Sequence, residues 1–253
     1  MTAQNTPLAI IVMAAGKGTR MKSDLAKVLA PLSGTPMVHH VLTAAGTDTK
    51  KVVIIGHQAD TVRSSIDSAF DGVEYALQTE QLGTGHAVQQ AEKALKGFEG
   101  NAIILSGDVP LVTPDLINAL LKSHGENAVT VVSTTIDNPT GLGRIVRDDA
   151  GNFLKITEQK DATEAEQKIT EINTGIYMVK LPLAFELLSQ VQNNNASGEF
   201  YLTDIIALAL KAGKNVGTCH VNDGMALLGV NTPEQLAVAE GIYNQRQLTA
   251  KGA

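Results

Sequence analysis

The chain has 253 residues, 43% of them hydrophobic, and a formal net charge of −6 at pH 7. That length suits one large α/β domain or two small ones, and the acidic balance excludes the basic surface that binds a nucleic-acid backbone. The single cysteine excludes an intramolecular disulfide and a cysteine-only zinc site. Because the N-terminus lacks the basic residues of a signal peptide and no apolar stretch has membrane-spanning length, we expect a soluble, cytoplasmic protein with no membrane partner.

Strand-like apolar runs alternate with helical patterns through the first half of the chain. The predicted strands are Leu8–Met13, Lys51–Ile55, Val73–Leu77, Ala102–Leu105 and Val129–Thr135. The predicted helices are Met37–Ala45, Asp60–Phe70, His86–Leu95 and Pro114–His124, the last with Thr113 as its N-cap. This alternation predicts a parallel sheet with helices on both faces, and such sheets bind ligands beyond the carboxyl ends of their strands.

The second half has a different pattern. Arg144–Arg147 and Phe153–Thr157 flank the turn sequence D-D-A-G-N and predict an antiparallel hairpin. The remaining predicted strands are Glu171–Val179, Val216–Val221 and Leu227–Val230, and the remaining helices are Pro182–Val191, Thr203–Ala212 and Pro233–Gln247. We interpret residues 1–253 as one domain, with its first half over about 1–135 and its second half over about 136–253.

The first predicted strand ends in a glycine-rich loop, A-A-G-K-G-T-R-M. Gly16 and Gly18 allow backbone N–H groups to approach an anion, while Arg20 and Lys27 supply cations for phosphoryl oxygens. The loop departs from the Walker A pattern because no lysine follows its second glycine, and from the dinucleotide fingerprint because Met21 stands at the third glycine position. A generic strand–helix turn would explain the glycines but not the two cations, so the loop predicts a polyphosphate substrate.

A second loop follows the predicted strand Val73–Leu77, with the sequence Q-T-E-Q-L-G-T-G-H-A. The Gln78 amide carries two donors and one acceptor, a combination suited to reading the edge of a pyrimidine. Gly83 and Gly85 permit close backbone approach, and the N-terminus of the helix that follows favours partial negative charge. Thr84, between the two glycines, is a further candidate for ligand contact. The other polar residues of this segment are interpreted as solvated surface groups: Glu80, Gln81 and His86.

Five further residues are candidates for metal and sugar binding. Asp108 ends an apolar strand beside the expected phosphate loop, where a carboxylate is well placed to hold magnesium. Gly143 offers close backbone approach, Glu158 ends a strand and Asn173 lies within one; carboxylates and amides of this kind hold sugar hydroxyls. Taken singly, Glu158 suits a solvated strand end and Asn173 a bulge. Asn231, before T-P-E, suits a helix cap.

Taken together, the motifs resemble the uridyltransferase half of the bacterial bifunctional N-acetylglucosamine-1-phosphate uridyltransferase/glucosamine-1-phosphate acetyltransferases. These belong to the sugar-1-phosphate nucleotidyltransferases, and the resemblance implies an α/β, Rossmann-like nucleotidyltransferase fold with a mixed, mainly parallel sheet flanked by helices. The matching strings run in family order over about residues 8–232: A-A-G-K-G-T-R-M, S-D-L-A-K-V-L, E-Q-L-G-T-G-H-A, G-D-V-P-L, D-N-P-T-G-L-G-R-I, E-Q-K-D-A-T, E-I-N-T-G-I and G-E-F-Y-L-T-D-I-I.

The resemblance implies that the half over about 1–135 binds the nucleotide and the half over about 136–253 binds the sugar phosphate. It also implies roles for individual residues. Arg20 and Lys27 would be catalytic, and Asp108 and Asn231 would bind Mg²⁺. The implied nucleotide contacts are Met13, Ala14, Ala15, Gly16, Gly18, Lys27, Gln78, Gly83, Thr84, Ser106 and Gly107. The implied contacts to the sugar phosphate are Thr84, Gly143, Glu158, Asn173 and Asn231. The chain departs from the family at Met13, where leucine is frequent, and at Ser106, where an aromatic residue occurs.

The implied reaction converts UTP and N-acetylglucosamine-1-phosphate into UDP-N-acetylglucosamine, a cell-envelope precursor, and pyrophosphate. Two alternatives remain open: the same transfer on another nucleotide and sugar-1-phosphate, such as glucose-1-phosphate, or a catalytically silent sensor of sugar nucleotides. Bifunctional members continue into a β-helix of hexapeptide repeats that transfers acetyl groups and organises trimers, which this sequence lacks. We therefore expect either a stand-alone uridyltransferase or a truncated form, with its oligomeric state open.

Overall fold

The computed structural model describes residues 6–21, 23–47 and 49–251. The interpretation of the N-terminus as lacking a signal peptide rests partly on residues 1–5, which lie outside this range. The strands are β1 (Leu8–Ala14), β2 (Pro31–Leu32), β3 (Thr35–Pro36), β4 (Lys50–Ile55), β5 (Val73–Leu77), β6 (Gly100–Ser106), β7 (Val129–Thr135), β8 (Arg144–Arg147), β9 (Phe153–Thr157), β10 (Glu171–Leu181) and β11 (Val216–His220). The helices are α1 (Met37–Ala44), α2 (Ala59–Asp67), α3 (Thr84–Gln89), α4 (Pro114–His124), α5 (Leu183–Leu188), α6 (Ile205–Lys211) and α7 (Pro233–Lys251).

One large sheet forms the centre of the molecule, in the order β11-β7-β10-β6-β1-β4-β5, with β8 added to β10 and β9 to β8. β1 is parallel to β4 and β6, β4 to β5, and β11 to β7. β10 runs antiparallel to β6 and β7, between which it lies. This mixed, mainly parallel sheet confirms the predicted Rossmann-like fold and brings the ends of β1, β5 and β6 to one edge.

Helices cover both faces of the sheet. The centre of β1 is apolar at every position, so its side chains are buried on both sides. Ile10 and Val12 pack into one buried layer with residues of α1, α2 and α4. Ala9 and Ile11 pack into the opposite layer with residues of α3, α5 and α6. Alternate side chains of a strand point to opposite faces, so a continuous apolar run indicates a strand buried on both sides. None of the helices in the described part of the chain combines the length and apolarity needed to cross a membrane.

Several helix boundaries differ from the prediction, and one predicted strand is wrong. α3 begins at Thr84 and ends at Gln89, where a 3-10 turn continues the chain, and α5 and α6 are shorter than predicted. Leu227–Val230 is not a strand: a 3-10 turn spans Gly224–Leu227. A side chain at Gly224 would collide with Thr134, and the Val230 amide donates to the backbone oxygen of Asp108 at 2.8 Å, so this segment packs against the sheet edge without joining it.

A small hairpin of β2 and β3 was not predicted. Ser33 and Gly34 both have positive φ (48° and 84°), as a tight hairpin turn requires. The Ser33 amide donates to Glu240 on α7 at 2.9 Å, and Leu32 is buried in the layer beneath that helix. The hairpin therefore fastens the segment after β1 to the C-terminal helix, which follows Asn231.

Candidate active site at the carboxyl ends of the strands

A cavity of about 310 Å³ opens at the edge where β1, β5 and β6 end. Ten of the predicted site residues line it: Met13, Ala14, Ala15, Gly16, Lys27, Gln78, Gly83, Thr84, Ser106 and Asp108. They lie at or after the ends of β1, β5 and β6, so three segments that are separate in the sequence converge on one edge, as expected for the ligand-binding edge of such a sheet. Two polar residues without an assigned role, Gln81 and Glu199, also line the cavity.

The loop after β1 brings Lys27 back toward the strand end. Gly18 has a φ of 61°, and a side chain there would collide with the Lys27 side chain, so this position requires glycine. Gly16 is exposed and lines the cavity, and a Cβ there would meet no heavy atom within 4 Å. Met13 accepts a hydrogen bond through its backbone oxygen from the Gly107 amide at 2.9 Å, which joins the first loop to the loop after β6.

Two cations and two oxygen-bearing side chains meet beside the cavity. The Lys27 ammonium forms an ion pair with the Asp108 carboxylate and donates to Asn231 Oδ1 at 3.0 Å. Arg20 donates to the same Asn231 oxygen at 3.0 Å. The Ser106 hydroxyl donates to the other Asp108 oxygen at 2.6 Å and holds the carboxylate in place. Asp108 and Asn231, distant in the sequence, are therefore neighbours in the fold.

Gly229 explains how Asn231 reaches Asp108. A Cβ at Gly229 would lie 3.2 Å and 3.3 Å from the two carboxylate oxygens of Asp108 and 3.4 Å from Asn231 Nδ2. The Asn231 amide group also donates to the Gly229 backbone oxygen at 2.9 Å, which leaves Oδ1 directed to the cations. Within the described residues, no three His, Cys, Asp or Glu side chains form a metal-holding group. A divalent cation at this pair would thus take further oxygen ligands from phosphates and water.

The Gln78 side chain is buried, and two neighbours hold its amide nitrogen. Gln78 Nε2 donates to the Gly83 backbone oxygen at 3.2 Å and lies 3.1 Å from His86 Nδ1. The interpretation of His86 as a solvated surface residue was wrong: it is half-buried and contacts Gln78. Gln81 is exposed as expected, yet it lines the cavity. Neither contact could be recognised in the sequence, because both depend on how the loop folds back over β5.

Gly143, Glu158 and Asn173 lie together outside the 310 Å³ cavity. The backbone amide of Asn173 donates to the Gly143 backbone oxygen at 2.9 Å. A Cβ at Gly143 would lie 3.3 Å from Glu158 Oε1. Burial raises the pKa of the Glu158 carboxyl, and the carboxylates of Asp161 and Asp204 raise it further. The Asn173 side chain donates to the Tyr177 hydroxyl at 2.7 Å and accepts from the Gly175 amide at 2.9 Å, so it also stabilises the irregular part of β10.

The segment Glu199–Leu202 reaches the cavity and contacts the loop that leads into α3, and sequence reasoning assigned it no role. The Gly85 amide donates to the Phe200 backbone oxygen at 2.8 Å, and the Phe200 amide donates to the Leu82 oxygen at 2.8 Å. The Leu202 amide donates to the Thr84 hydroxyl at 3.0 Å. The sequence does contain one indication of this role: the string G-E-F-Y-L-T-D places polar and aromatic residues in a loop before a predicted helix, and binding residues are concentrated in loops.

Comparison with known proteins agrees with this geometry. Residues 10–169 match the MobA-like NTP transferase domain. The bifunctional protein GlmU of Geobacter metallireducens is 46% identical over 244 residues, which are 94% of this chain and 51% of that protein. GlmU of Streptococcus thermophilus is 46% identical over 242 residues, 93% of this chain and 52% of that protein. The chain thus spans about half the length of these relatives.

A third relative is covered over more of its length. GlmU of Desulfotalea psychrophila is 45% identical over 248 residues, which are 96% of this chain and 73% of that protein. These similarities confirm the resemblance that the ordered motifs indicated. The mixed sheet, the glycine-rich loop after β1 and the matched sequence together establish that this chain belongs to the MobA-like NTP transferase domain family.

Proposed function

We propose that this chain transfers a uridylyl group from UTP to N-acetylglucosamine-1-phosphate, forming UDP-N-acetylglucosamine and pyrophosphate. The observation that carries the proposal is the convergence of Lys27 and Arg20 on Asp108 and Asn231 beside a cavity that also contains Gln78. The similarity to GlmU proteins supports the choice of substrates. In this proposal residues up to about 135 hold the nucleotide and later residues hold the sugar phosphate.

The chemistry needs charge stabilisation more than proton transfer. A phosphate oxygen of the sugar phosphate is already anionic, so it can attack the α-phosphorus of UTP in line without a general base or a covalent intermediate. The residues then have to position two polyanions and neutralise the charge that develops on the leaving pyrophosphate. Lys27 and Arg20 suit this task because the Asp108–Asn231 pair holds both cations at the edge of the cavity.

We propose Asp108 and Asn231 as the protein ligands of Mg²⁺. A carboxylate and an amide oxygen are the hard donors that this ion prefers, and phosphates and waters would complete the shell. The fit is supported by Lys27: one ammonium contacts both side chains, so their oxygens are close enough to share a cation. Mg²⁺ bound there would supply positive charge to phosphoryl oxygens, while the Ser106 hydroxyl keeps the carboxylate oriented.

The binding of the two organic groups follows from the remaining contacts. In this proposal Gln78 and Gly83 contact the pyrimidine. The nucleotide also lies against the backbone of Ala14, Ala15 and Gly16. Gly143, Glu158 and Asn173 contact the acetylated sugar, and Thr84 connects the two regions through its bond to Leu202. Glu158 is partly desolvated, which strengthens a hydrogen bond between its carboxyl group and a sugar hydroxyl.

A pyrophosphate-release assay tests the proposal. The purified chain with Mg²⁺, UTP and N-acetylglucosamine-1-phosphate should release pyrophosphate, and chelation of the metal should stop the reaction. The same assay with CTP or dTTP, and with glucose-1-phosphate, determines which pair is preferred. Turnover restricted to a different pair would overturn the proposed substrates, and no release above a no-enzyme control with any pair would favour the silent sensor.

A further inference from the structure

We propose that His86 is a positioning residue for base selectivity: it fixes the Gln78 amide so that only the carbonyl oxygen of that amide faces the nucleotide. The inference rests on the proposed function, since it requires a pyrimidine base in the cavity that Gln78 lines. It adds a determinant outside the residues that contact the base. Hydrogen bonds from the Gln78 side-chain nitrogen to Gly83 and His86 set the orientation of the amide.

The orientation of the Gln78 amide follows from its neighbour Gly83. A backbone carbonyl is an acceptor only, and the Gly83 oxygen lies 3.2 Å from the Gln78 side-chain nitrogen. The opposite orientation would bring two carbonyl oxygens together, which is repulsive. The Gly83 carbonyl cannot turn away, because it also accepts from the Ala87 amide at 3.0 Å in the first turn of α3.

The state of the His86 ring then follows from Gln78. The Gln78 nitrogen is a donor and lies 3.1 Å from His86 Nδ1, so this ring nitrogen must be the acceptor and the ring proton must be on Nε2. The two N–H groups of Gln78 are thereby used by Gly83 and His86. The carbonyl oxygen Oε1 is the polar atom of the amide that remains for a ligand.

The rest of Gln78 is held equally firmly. Its backbone amide donates to the Ile55 oxygen at 2.8 Å, and its backbone oxygen accepts from the Gln81 side chain at 3.2 Å. The residue is 3% exposed, which leaves little room for another rotamer. The Phe200 ring lies beside the His86 ring, with the two ring centroids 6.5 Å apart.

A fixed acceptor distinguishes pyrimidines by the edge that they present. N3 of uracil or thymine carries a hydrogen and can donate to Gln78 Oε1, whereas N3 of cytosine is itself an acceptor and would be repelled. An amide free to rotate would satisfy either base, because one end donates and the other accepts. Loss of the His86 acceptor would leave the amide held by the Gly83 carbonyl alone. It should therefore weaken the discrimination against cytosine without abolishing it, and leave the phosphate chemistry intact.

The test compares His86→Phe, which has no acceptor, with His86→Asn, whose Oδ1 lies near the former position of Nδ1. We expect His86→Phe to lower the ratio of kcat/KM for UTP to that for CTP about 5–10-fold, the factor for one neutral hydrogen bond, mainly through KM. His86→Asn should restore most of that ratio. His39→Phe, on α1 and bonded to Ser65, is the matched control and should leave the ratio unchanged. An unchanged ratio in His86→Phe, or no recovery in His86→Asn, would overturn the proposal.

A second measurement requires no turnover. Nitrogen-15 NMR of the ligand-free protein should show the proton of the His86 ring on Nε2, and titration with UMP and CMP should show weaker discrimination in His86→Phe. A proton on Nδ1 would overturn the proposal, because Nδ1 could then not accept a hydrogen bond from Gln78. If the wild-type chain bound UMP selectively yet released no pyrophosphate, the catalytic proposal would fail while the role of His86 would stand.

Discussion

Replacement of Gly83 by alanine tests the architecture of the nucleotide loop. Gly83 has φ and ψ of 120° and 173°, a conformation that is essentially restricted to glycine, and forcing it on alanine costs about 1–3 kcal/mol. A Cβ there would also lie 2.5 Å from the Phe200 oxygen and 2.8 Å from the Phe200 nitrogen. Because both are backbone atoms, relief requires the loop to move, at a further cost of about 1–3 kcal/mol. We expect Gly83→Ala to lower the free energy of unfolding by roughly 2–6 kcal/mol.

Urea unfolding and steady-state kinetics measure the two consequences. Gly97→Ala is the matched control: its φ is 76° and a Cβ there has no heavy atom within 4 Å, so it carries backbone strain without the collision. We expect Gly97→Ala to lose about 1–2 kcal/mol and to keep the wild-type KM for UTP. Gly83→Ala should lose more stability and raise that KM, since movement of the loop displaces the residue 83 carbonyl that orients the Gln78 amide. A Gly83→Ala variant as stable as Gly97→Ala, with an unchanged KM, would refute the reasoning.

Four other predictions concern charged and titratable groups. Lys27→Ala should lower kcat by about 10²–10³-fold, with a smaller change in the KM for UTP, because the ammonium acts on charge that develops in the transition state. Asp108→Asn should raise the Mg²⁺ concentration needed for half-maximal rate, as measured by metal titration. Glu158→Gln should raise the KM for the sugar phosphate and leave that for UTP nearly unchanged. Burial lowers the pKa of His124 to about 4, with Lys180 adding to the effect. As the pH falls below 6.5, the unfolded chain therefore binds a proton at His124 before the folded chain does, which favours unfolding. We expect about 3 kcal/mol of stability to be lost between pH 6.5 and 4, and a shallower pH dependence in His124→Gln.

Each of these results has a contrary outcome, and the predictions for Lys27, Asp108 and Glu158 also have a control. A kcat of Lys27→Ala within a few-fold of wild type, or an unshifted metal titration in Asp108→Asn, would remove that residue from the proposed machinery. Equal increases in both KM values for Glu158→Gln would indicate a misplaced sugar site. Unfolding measured against pH with the same slope in His124→Gln and wild type would contradict the buried neutral histidine. Exposed residues of matching charge provide the control variants: Lys122→Ala, Asp115→Asn and Glu164→Gln.

The sequence by itself determined the features that are local. The apolar run from Leu8 predicted a strand buried on both faces, and the two glycines and the cations after it predicted a phosphate loop at its end. Thr113 was expected to cap α4, and its hydroxyl does accept from the Leu116 amide at 3.2 Å. Periodicity, capping and turn chemistry act within a few residues, so they can be recognised without knowledge of the fold. Only the family resemblance predicts that Asp108 and Asn231 bind one metal ion together, because Asn231 by itself suits a helix cap.

The tertiary structure decided the contacts between distant segments. β10 lies antiparallel between β6 and β7. The alternation of strands and helices in the first half does not predict this position, because it depends on pairing between strands that are separate in the sequence. Lys27 and Asn231 are 204 residues apart in the chain, yet their side chains lie 3.0 Å apart because Val230 bonds to Asp108 and Gly229 leaves room for the carboxylate. His86 was misinterpreted for the same reason: whether a polar residue at the start of a helix faces water or a neighbouring loop depends on packing that local sequence patterns do not specify.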